Sequence, residues 1–318
     1  MRYTSPVPAA HRRFVRPFAL LACAALTALA TPIGAADDES RSGSLMVGGV
    51  TRTFHLYAPQ AAAAAATAPL VVVLHGGYGD GLQAERSYHW DQAAQRGGFL
   101  VVYPDGNNRA WNGGTCCGAP QRENIDDVAF LSELVRTLVR SDHADPRRVF
   151  ITGISNGAFM AYRMACEATI SIAAIGPVAG TLVAPCPHPK PMSVLAIHGL
   201  ADRNVPFAGG NGSGEVRDVQ SVTASLRVWT AADRCEPPSE TRAQPVTTRS
   251  WKCANGRTIR LITVDGAGHQ WPGGEPPSAV AQGLAGLFGF HLDPPSSALD
   301  ATATLAAFFA ERSASAPR

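Results

Sequence analysis

The hydrophobic pattern of the chain alternates between short apolar runs and longer segments of helical spacing. The apolar runs are largely continuous instead of alternating with polar residues, which is typical of parallel strands buried on both faces. Predicted strands lie at 69–77, 99–106, 149–154, 172–179, 193–198 and 258–264. Apolar residues spaced at helical intervals predict helices at 82–98, 126–141, 156–168, 218–233 and 299–312.

This order of elements predicts an α/β domain with one open, mostly parallel sheet and helices on both faces. The stretch 44–58 is predicted as an antiparallel pair at the edge of the sheet. The alanine-rich stretch 61–69 is interpreted as a surface excursion before the next strand. In sheets of this kind, ligands bind beyond the carboxyl ends of the strands, so the residues that follow each strand are the candidates for chemistry.

The N-terminal segment is predicted to be a secretory signal rather than part of the fold. Arg12, Arg13 and Arg16 precede the apolar run 18–36, which ends in small residues suited to cleavage. The alternative is a retained N-terminal anchor, although Pro32 and Gly34 interrupt the run. We therefore expect a cleaved signal at 1–36, a single α/β domain at 37–318, and a secreted or periplasmic protein without a membrane anchor after cleavage.

Charge argues against nucleic acid as a partner. The chain has 27 basic and 25 acidic residues, but four arginines and no acids lie in the predicted signal, which leaves 23 basic residues against 25 acidic ones. No cluster of lysine and arginine with interleaved aromatic residues is present in the sequence.

Six cysteines follow the predicted signal, and an even number in an oxidising compartment predicts disulfides. Six cysteines allow 15 pairings, so the sequence leaves the connectivity open. Short loops favour Cys166–Cys186 and Cys235–Cys253, which would leave Cys116 and Cys117 to each other. Zinc is the competing explanation, but no paired C-x-x-C motif supports a metal site.

Ser155 lies in the pentapeptide G-I-S-N-G, between a predicted strand and a predicted helix. A serine on such a sharp turn holds its Oγ free above the sheet, and flanking glycines relieve the crowding between strand and helix. The following helix directs its N-terminal N–H groups at the same point. Ser155 is therefore the candidate nucleophile; the alternative is an ordinary turn serine.

A serine nucleophile needs a base and a group that orients the base, in the chain order Ser, acid, His for this architecture. Asp202 follows the strand 193–198, and His269 follows the strand 258–264. Asp202 would fix the imidazole tautomer, and His269 would accept and return the proton. Asp265 is a rival acid that is better suited to capping its turn, and His198 is a rival base that we expect to be a packed strand-end residue.

The loop after the strand 70–74 reads H-G-G-Y-G and is predicted to form part of an oxyanion hole. The tetrahedral intermediate needs two N–H donors, for which Asn156 and Gly77 are the candidates, with Tyr78 as an alternative to Gly77. His75 is expected to tie the loop down rather than to act in catalysis. No G-K-[ST] follows the glycines, which argues against a nucleotide.

Several motifs together resemble a known family. The stretches LHGGYGDG, VVYPDGNNRAWN, CCG, DDVAFL, TGISNGAFMAYRMACE, IHGLADRNVPF and GAGHQWPGG occur in the order found in secreted esterases of the polyhydroxybutyrate depolymerase type. That group overlaps the carbohydrate esterases that release ferulate or acetate from xylan. The resemblance covers about residues 45–310. Many relatives have cysteine or alanine where Gly77 stands, and many polymer depolymerases carry a polymer-binding domain that we do not expect here.

The resemblance implies an α/β-hydrolase fold, no metal or organic cofactor, and a triad of Ser155, Asp202 and His269. It implies that Trp271 and the loop around Trp111 and Asn112 border the substrate cleft. It also supports the cysteine pairs 166–186 and 235–253.

Aromatic residues on three loops suit an acyl group with a flat or short apolar body. Tyr78, Trp111, Asn112 and Trp271 are the predicted substrate-binding residues. The expected function is a secreted serine carboxylesterase for hydroxycinnamoyl (feruloyl), acetyl or short hydroxyacyl esters, small or linked to polysaccharide. A polyhydroxybutyrate or oligomer depolymerase is the closest alternative. A peptidase with the same triad and a non-catalytic binding protein on a hydrolase scaffold are the alternatives from other classes.

Overall fold

The computed structural model describes residues 40–287 and 289–315. The predicted signal at 1–36 lies outside the described residues. Ten strands form one sheet: β1 Arg41–Val47, β2 Val50–Tyr57, β3 Ala68–Leu74, β4 Leu100–Pro104, β5 Ala144–Ile154, β6 Ala174–Val178, β7 Ser193–Gly199, β8 Ser239–Ala243, β9 Val246–Lys252 and β10 Thr258–Val264. The helices are α1 Gln60–Ala63, α2 Gly81–Tyr88, α3 Trp90–Gly97, α4 Gly118–Arg122, α5 Asp127–Ser141, α6 Asn156–Glu167, α7 Val222–Ala232, α8 Ala279–Leu287 and α9 Ala301–Ser315.

The strand order is β1-β2-β4-β3-β5-β6-β7-β10-β9-β8. The central strands from β4 to β10 are parallel to one another, and antiparallel pairs flank them at both ends. This confirms the predicted α/β-hydrolase class with a mostly parallel sheet. The predicted edge pair at 44–58 corresponds to β1 and β2, which pair from Arg41 opposite Leu56 to Val47 opposite Val50.

Strand β3 shows why the central strands are apolar along their whole length. Leu70, Val72 and Leu74 pack into the core beneath α5, α6 and α7, whereas Val71 and Val73 pack on the opposite face against α3 and α9. Successive side chains of a strand point to opposite faces, so a strand covered on both sides needs an apolar residue at each position.

Two elements differ from the sequence-based expectation. The predicted helix 82–98 is divided into α2 and α3 at His89, whose backbone is left-handed (φ 59°) and lets the buried Trp90 begin a helix in a new direction. The hairpin of β8 and β9 was not predicted, because β8 is exposed at every position and has no hydrophobic pattern. The alanine-rich stretch contains the short helix α1, which buries Ala62.

Among the cysteines that the structure describes, three disulfides join Cys116 to Cys117, Cys166 to Cys186 and Cys235 to Cys253. The expected pairs are therefore present. The bond from Cys166 ties the end of α6 to the segment that leads into β7, and the bond from Cys235 ties the end of α7 to the end of β9. Within the described residues, none of the helices is long and apolar enough to cross a bilayer.

Candidate active site

Ser155 occupies the turn between β5 and α6 in a strained conformation, with φ 57° and ψ −121°. Its backbone N–H donates to the carbonyl of Val178 at 3.0 Å, which fixes the turn against β6. A Cβ at Gly153 would lie 2.7 Å from the Leu74 carbonyl oxygen, and one at Gly157 would lie 2.5 Å from the same atom. Only glycine fits at both positions, so the two glycines allow β5 and α6 to cross close to β3 while Ser155 is held at the turn.

The carboxylate of Asp202 and the ring of His269 are in direct contact. Asp202 follows β7 and His269 follows the neighbouring strand β10, and the Nδ1 of His269 lies 2.8 Å from the Asp202 Oδ2. Both side chains are buried. The other carboxylate oxygen of Asp202 accepts the backbone N–H groups of Asn204 at 2.9 Å and Val205 at 2.8 Å. The two backbone N–H groups fix the orientation of the Asp202 carboxylate, and the carboxylate fixes the orientation of the His269 ring.

Opposing influences act on the pKa of Asp202. Burial alone would raise it, but the charge and hydrogen bond of His269, together with His198 and the Val205 amide, outweigh burial and hold the pKa below its usual range. The carboxylate is therefore ionised at neutral pH. An ionised carboxylate accepting from Nδ1 leaves the Nε2 of His269 as the ring nitrogen that can take up a proton.

The rival residues have other partners. His198 is buried at the end of β7, donates from Nε2 to the carbonyl of Val205 at 2.8 Å, and lies 3.4 Å from the Asp202 Oδ2. Burial lowers its pKa, so it is neutral. Asp265 forms an ion pair at 3.0 Å with Arg242, a residue of the outer strand β8. His198 is thus a packed strand-end residue, as expected.

Ser155 lies at the same edge of the sheet as the acid and the base. It follows β5, which is separated from β7 by one strand, and all four strands β5, β6, β7 and β10 are parallel. In the described part of the chain, the Ser155 hydroxyl makes no hydrogen bond to the His269 ring. Catalytic hydrogen bonds are often long before a substrate binds, so proton transfer between these two groups stays a prediction.

The loop after β3 narrows the choice of oxyanion donor. The Tyr78 N–H already donates to the Arg109 carbonyl at 2.8 Å, and the Gly79 N–H donates to the Gly76 carbonyl at 3.1 Å. Gly77 lies beside the nucleophile turn, since a Cβ built on it would be 3.9 Å from the Asn156 Cβ. This arrangement favours Gly77 over Tyr78 as the partner of Asn156.

The side chains of Asn156 and His75 connect the loops around the nucleophile turn through hydrogen bonds. The Asn156 side chain exchanges two hydrogen bonds with the backbone of Trp111, at 2.7 and 2.8 Å. The His75 Nε2 accepts the Gly106 N–H at 2.9 Å, so the proton is on Nδ1, which donates to the Gly76 carbonyl at 2.7 Å. Burial lowers the pKa of His75 to about 4, and the ring is therefore a neutral tie between two loops.

Three of the four predicted substrate-binding residues are buried. The ring of Trp111 is 0% exposed and donates its N–H to the His75 carbonyl; the Asn112 amide donates to the Ile125 carbonyl; and Trp271 stacks on Tyr88 at 4.6 Å. These side chains support the loops of the site from within, which corrects the expectation that they border the cleft. Only Tyr78, at 56% exposure, presents its ring at the surface.

Sequence reasoning missed Asn204, Phe290 and Asp293, which lie around the same loops. Asn204 follows Asp202 by only two residues and was within reach of the motif, but Phe290 and Asp293 lie in a segment without strand or helix pattern. Among residues 40–287 and 289–315, no three His, Cys, Asp or Glu side chains are grouped so as to hold a metal ion.

Comparison with known proteins places this geometry in context. Residues 52–230 match the family described as Esterase PHB depolymerase. A relative from Nocardia uniformis subsp. tsuyamanensis, named "Putative esterase NocK", is 31% identical over 261 residues, which cover 75% of this chain and 76% of that protein. Feruloyl esterase B of Piromyces equi is 27% identical over 217 residues, covering 64% of this chain but only 39% of the relative.

Among solved structures, an acetyl xylan esterase from Aspergillus awamori aligns with a TM-score of 0.54 at 16% identity. The alignment covers 78% of this chain and 99% of that one. At this identity the likeness concerns the fold alone.

Proposed function

Because this chain belongs to the esterase PHB depolymerase family and is a carboxylic ester hydrolase, we propose that it works through an acyl-enzyme on Ser155. The observation that carries the proposal is the buried contact between Asp202 and His269 at the sheet edge where the strained Ser155 turn lies. Its substrates would be hydroxycinnamoyl (feruloyl), acetyl or short hydroxyacyl esters, free or attached to polysaccharide.

In the first half of the reaction, the Ser155 Oγ attacks the ester carbonyl carbon while the His269 Nε2 takes the hydroxyl proton. The carbonyl oxygen becomes an oxyanion, which the backbone N–H groups of Gly77 and Asn156 would stabilise. Asp202 holds the Nδ1–H and stabilises the imidazolium. When the carbon–oxygen bond breaks, His269 returns the proton to the departing alcohol.

In the second half, a water molecule attacks the acyl-enzyme and gives one proton to the His269 Nε2. The second tetrahedral intermediate uses the same two N–H donors. Its collapse releases the carboxylic acid, and the proton on His269 returns to the Ser155 Oγ. No redox step or external cofactor is needed for this sequence of bond changes.

The first prediction concerns the nucleophile. Ser155→Ala should lower kcat for p-nitrophenyl acetate by at least about 10⁴-fold, since removing a triad nucleophile leaves only binding and oxyanion stabilisation. The measurement is initial-rate kinetics together with circular dichroism to establish the fold. The matched control is Ser239→Ala, an exposed serine on the edge strand β8. Equal, measurable rates for wild type and Ser155→Ala would refute the mechanism, whereas no turnover by either protein would favour a non-catalytic scaffold.

A second candidate function is hydrolysis of hydroxybutyrate oligomers, which the name of the matching family favours. The two functions separate in one panel: methyl ferulate, acetylated xylan, hydroxybutyrate oligomers and p-nitrophenyl acetate, compared by kcat/KM. Turnover of the oligomers alone would reject the feruloyl and acetyl assignment while leaving the acyl-enzyme mechanism intact.

We also propose that the protein acts in an oxidising compartment, outside the cell or in the periplasm. Three disulfides and the signal-like sequence at 1–36 support this. Mass spectrometry of the N-terminus after expression of the full chain tests it. Recovery of an intact residue 1 would contradict cleavage.

A further inference from the structure

A short segment after α8, Phe290 to Asp293, contacts three loops of the candidate site, those of Tyr78, Asn204 and His269; we refer to it as the strap. It has no helix or strand structure of its own. Phe290, His291 and Asp293 each reach a different loop, and each contact involves a named atom or ring. A segment that joins otherwise separate loops is placed to fix their relative positions.

Asp293 connects the strap to the loop that carries His269. The Asp293 Oδ2 accepts the backbone N–H of His269 at 2.8 Å. The carboxylate also lies against Gly268, where a Cβ would collide with it. Glycine at 268 thus leaves room for the carboxylate to approach the backbone of the residue that carries the imidazole.

The strap holds the loop of the acid through His291. The Asn204 Oδ1 accepts the His291 N–H at 3.0 Å, and the Asn204 Nδ2 donates to the His291 carbonyl. The backbone N–H of Asn204 in turn donates to the Asp202 Oδ1. Asn204 is buried, so its amide has exchanged water for these partners and would be left unsatisfied without them.

At its other end the strap contacts the oxyanion loop. The ring of Phe290 packs edge-on against the ring of Tyr78, with the centroids 5.6 Å apart. Phe290 also closes against Gly214, where a side chain would meet its ring. The strap is therefore anchored on the loop of the oxyanion hole, on the loop of Asp202 and on the loop of His269.

We propose that Asp293 is a positioning residue for His269. It acts through the backbone N–H of the base, while the Asn204–His291 pair keeps the strap in register with Asp202. The proposal rests on the proposed function, because it assumes that His269 is the base. A misplacement of about 1 Å in a catalytic group can cost about 100-fold in rate, so a hydrogen bond that fixes this loop affects turnover without touching the substrate.

The test compares Asp293→Ala with Asp293→Asn, using p-nitrophenyl acetate and the wild-type chain as reference. The alanine variant loses the acceptor, and we expect kcat to fall at least about tenfold with KM changed less than about twofold. The asparagine variant keeps an acceptor oxygen for the His269 N–H, and we expect it to recover kcat to within about threefold of wild type. The matched control is Asp265→Ala, a carboxylate four residues before His269 that pairs outward with Arg242.

Three results would overturn the proposal: unchanged kcat in Asp293→Ala, a loss confined to KM, or Asp293→Asn as slow as Asp293→Ala. If the alanine variant fails to fold, Asn204→Ala replaces it, since it releases the strap from the acid loop. A normal kcat in that variant would equally overturn the role of the strap. An inactive wild-type protein, or an active Ser155→Ala variant, would instead refute the proposed function, and this inference would fail with it.

Discussion

Individual side chains around the site are held in single protonation states by burial and by their partners. His75 is the clearest case, because its Nε2 must remain unprotonated to accept the Gly106 N–H. Its pKa is about 4 in the folded protein against a usual value of 6.5. Asp202 is the opposite case, in which His269 keeps a buried carboxylate ionised.

Because His75 is buried and neutral in the folded protein, we expect the stability of the fold to fall at acidic pH. Between pH 6.5 and 4 the unfolded chain binds a proton at this position and the folded chain does not, so stability falls as the pH falls. The full effect of a shift of this size is about 3 kcal/mol. Urea denaturation at a series of pH values should show a shallower pH dependence in His75→Asn than in wild type. His188→Asn, at an exposed position, is the control, and equal slopes in His75→Asn and wild type would contradict the prediction.

The sequence was sufficient to locate candidate residues that directly follow a strand, whose catalytic roles stay a prediction. Ser155, Asp202 and His269 follow β5, β7 and β10, and parallel strands bring such residues to one edge. It was insufficient for Trp111 and Trp271, because an aromatic residue in a loop can face either the cleft or the core. It gave no sign of Asp293, whose partner at 269 is a backbone group with no sequence signature.

Among the elements, β2 and α5 are joined by a buried ion pair. The Arg52 guanidinium lies 2.8 Å from the Asp127 carboxylate and 4.1 Å from the centroid of the Phe130 ring. Asp127 also accepts the Asn112 N–H at 2.8 Å, which attaches the 107–117 loop to the start of α5. Burial raises the pKa of Asp127, and the charge of Arg52 opposes that rise.

Removal of one member of this pair should be strongly destabilising. Asp127→Ala leaves the Arg52 charge buried without its partner, and we expect a loss of about 3–5 kcal/mol in the free energy of unfolding. The double variant Arg52→Met/Asp127→Ala removes both charges and should regain much of that loss. Urea denaturation of the three proteins measures it. A double variant no more stable than the single one would argue against an uncompensated charge as the cause.

Elements with strong periodicity were predictable, and those defined by backbone conformation or by pairing were not. The strand β10 was predicted at its observed bounds, because apolar or β-branched residues occupy every one of its positions except Arg260. The division of 82–98 into α2 and α3 depends on the left-handed backbone of His89, which the hydrophobic pattern does not encode. The β8–β9 hairpin carries mostly polar residues and joins the sheet through the pairing of β9 with β10.

At the scale of the whole molecule, two of the disulfides join separate elements of the domain. The bond between Cys166 and Cys186 has a sequence separation of 20 residues and links α6 to the approach of β7. The double variant Cys166→Ser/Cys186→Ser should lose about 3 kcal/mol of stability by the loop-closure estimate. Denaturant unfolding under non-reducing conditions measures the loss. Unchanged stability would show that the bond does not constrain the unfolded chain.

The charged outer strand β8 affects how copies of the protein associate in concentrated solution. Every residue of this strand is exposed. Its two charged side chains form ion pairs, Glu240 with Arg249 and Arg242 with Asp265. A second copy approaching this border would meet these charged side chains, which disfavour the addition of another strand to the sheet. Concentrated preparations of the protein should accordingly resist fibre formation along this side of the sheet.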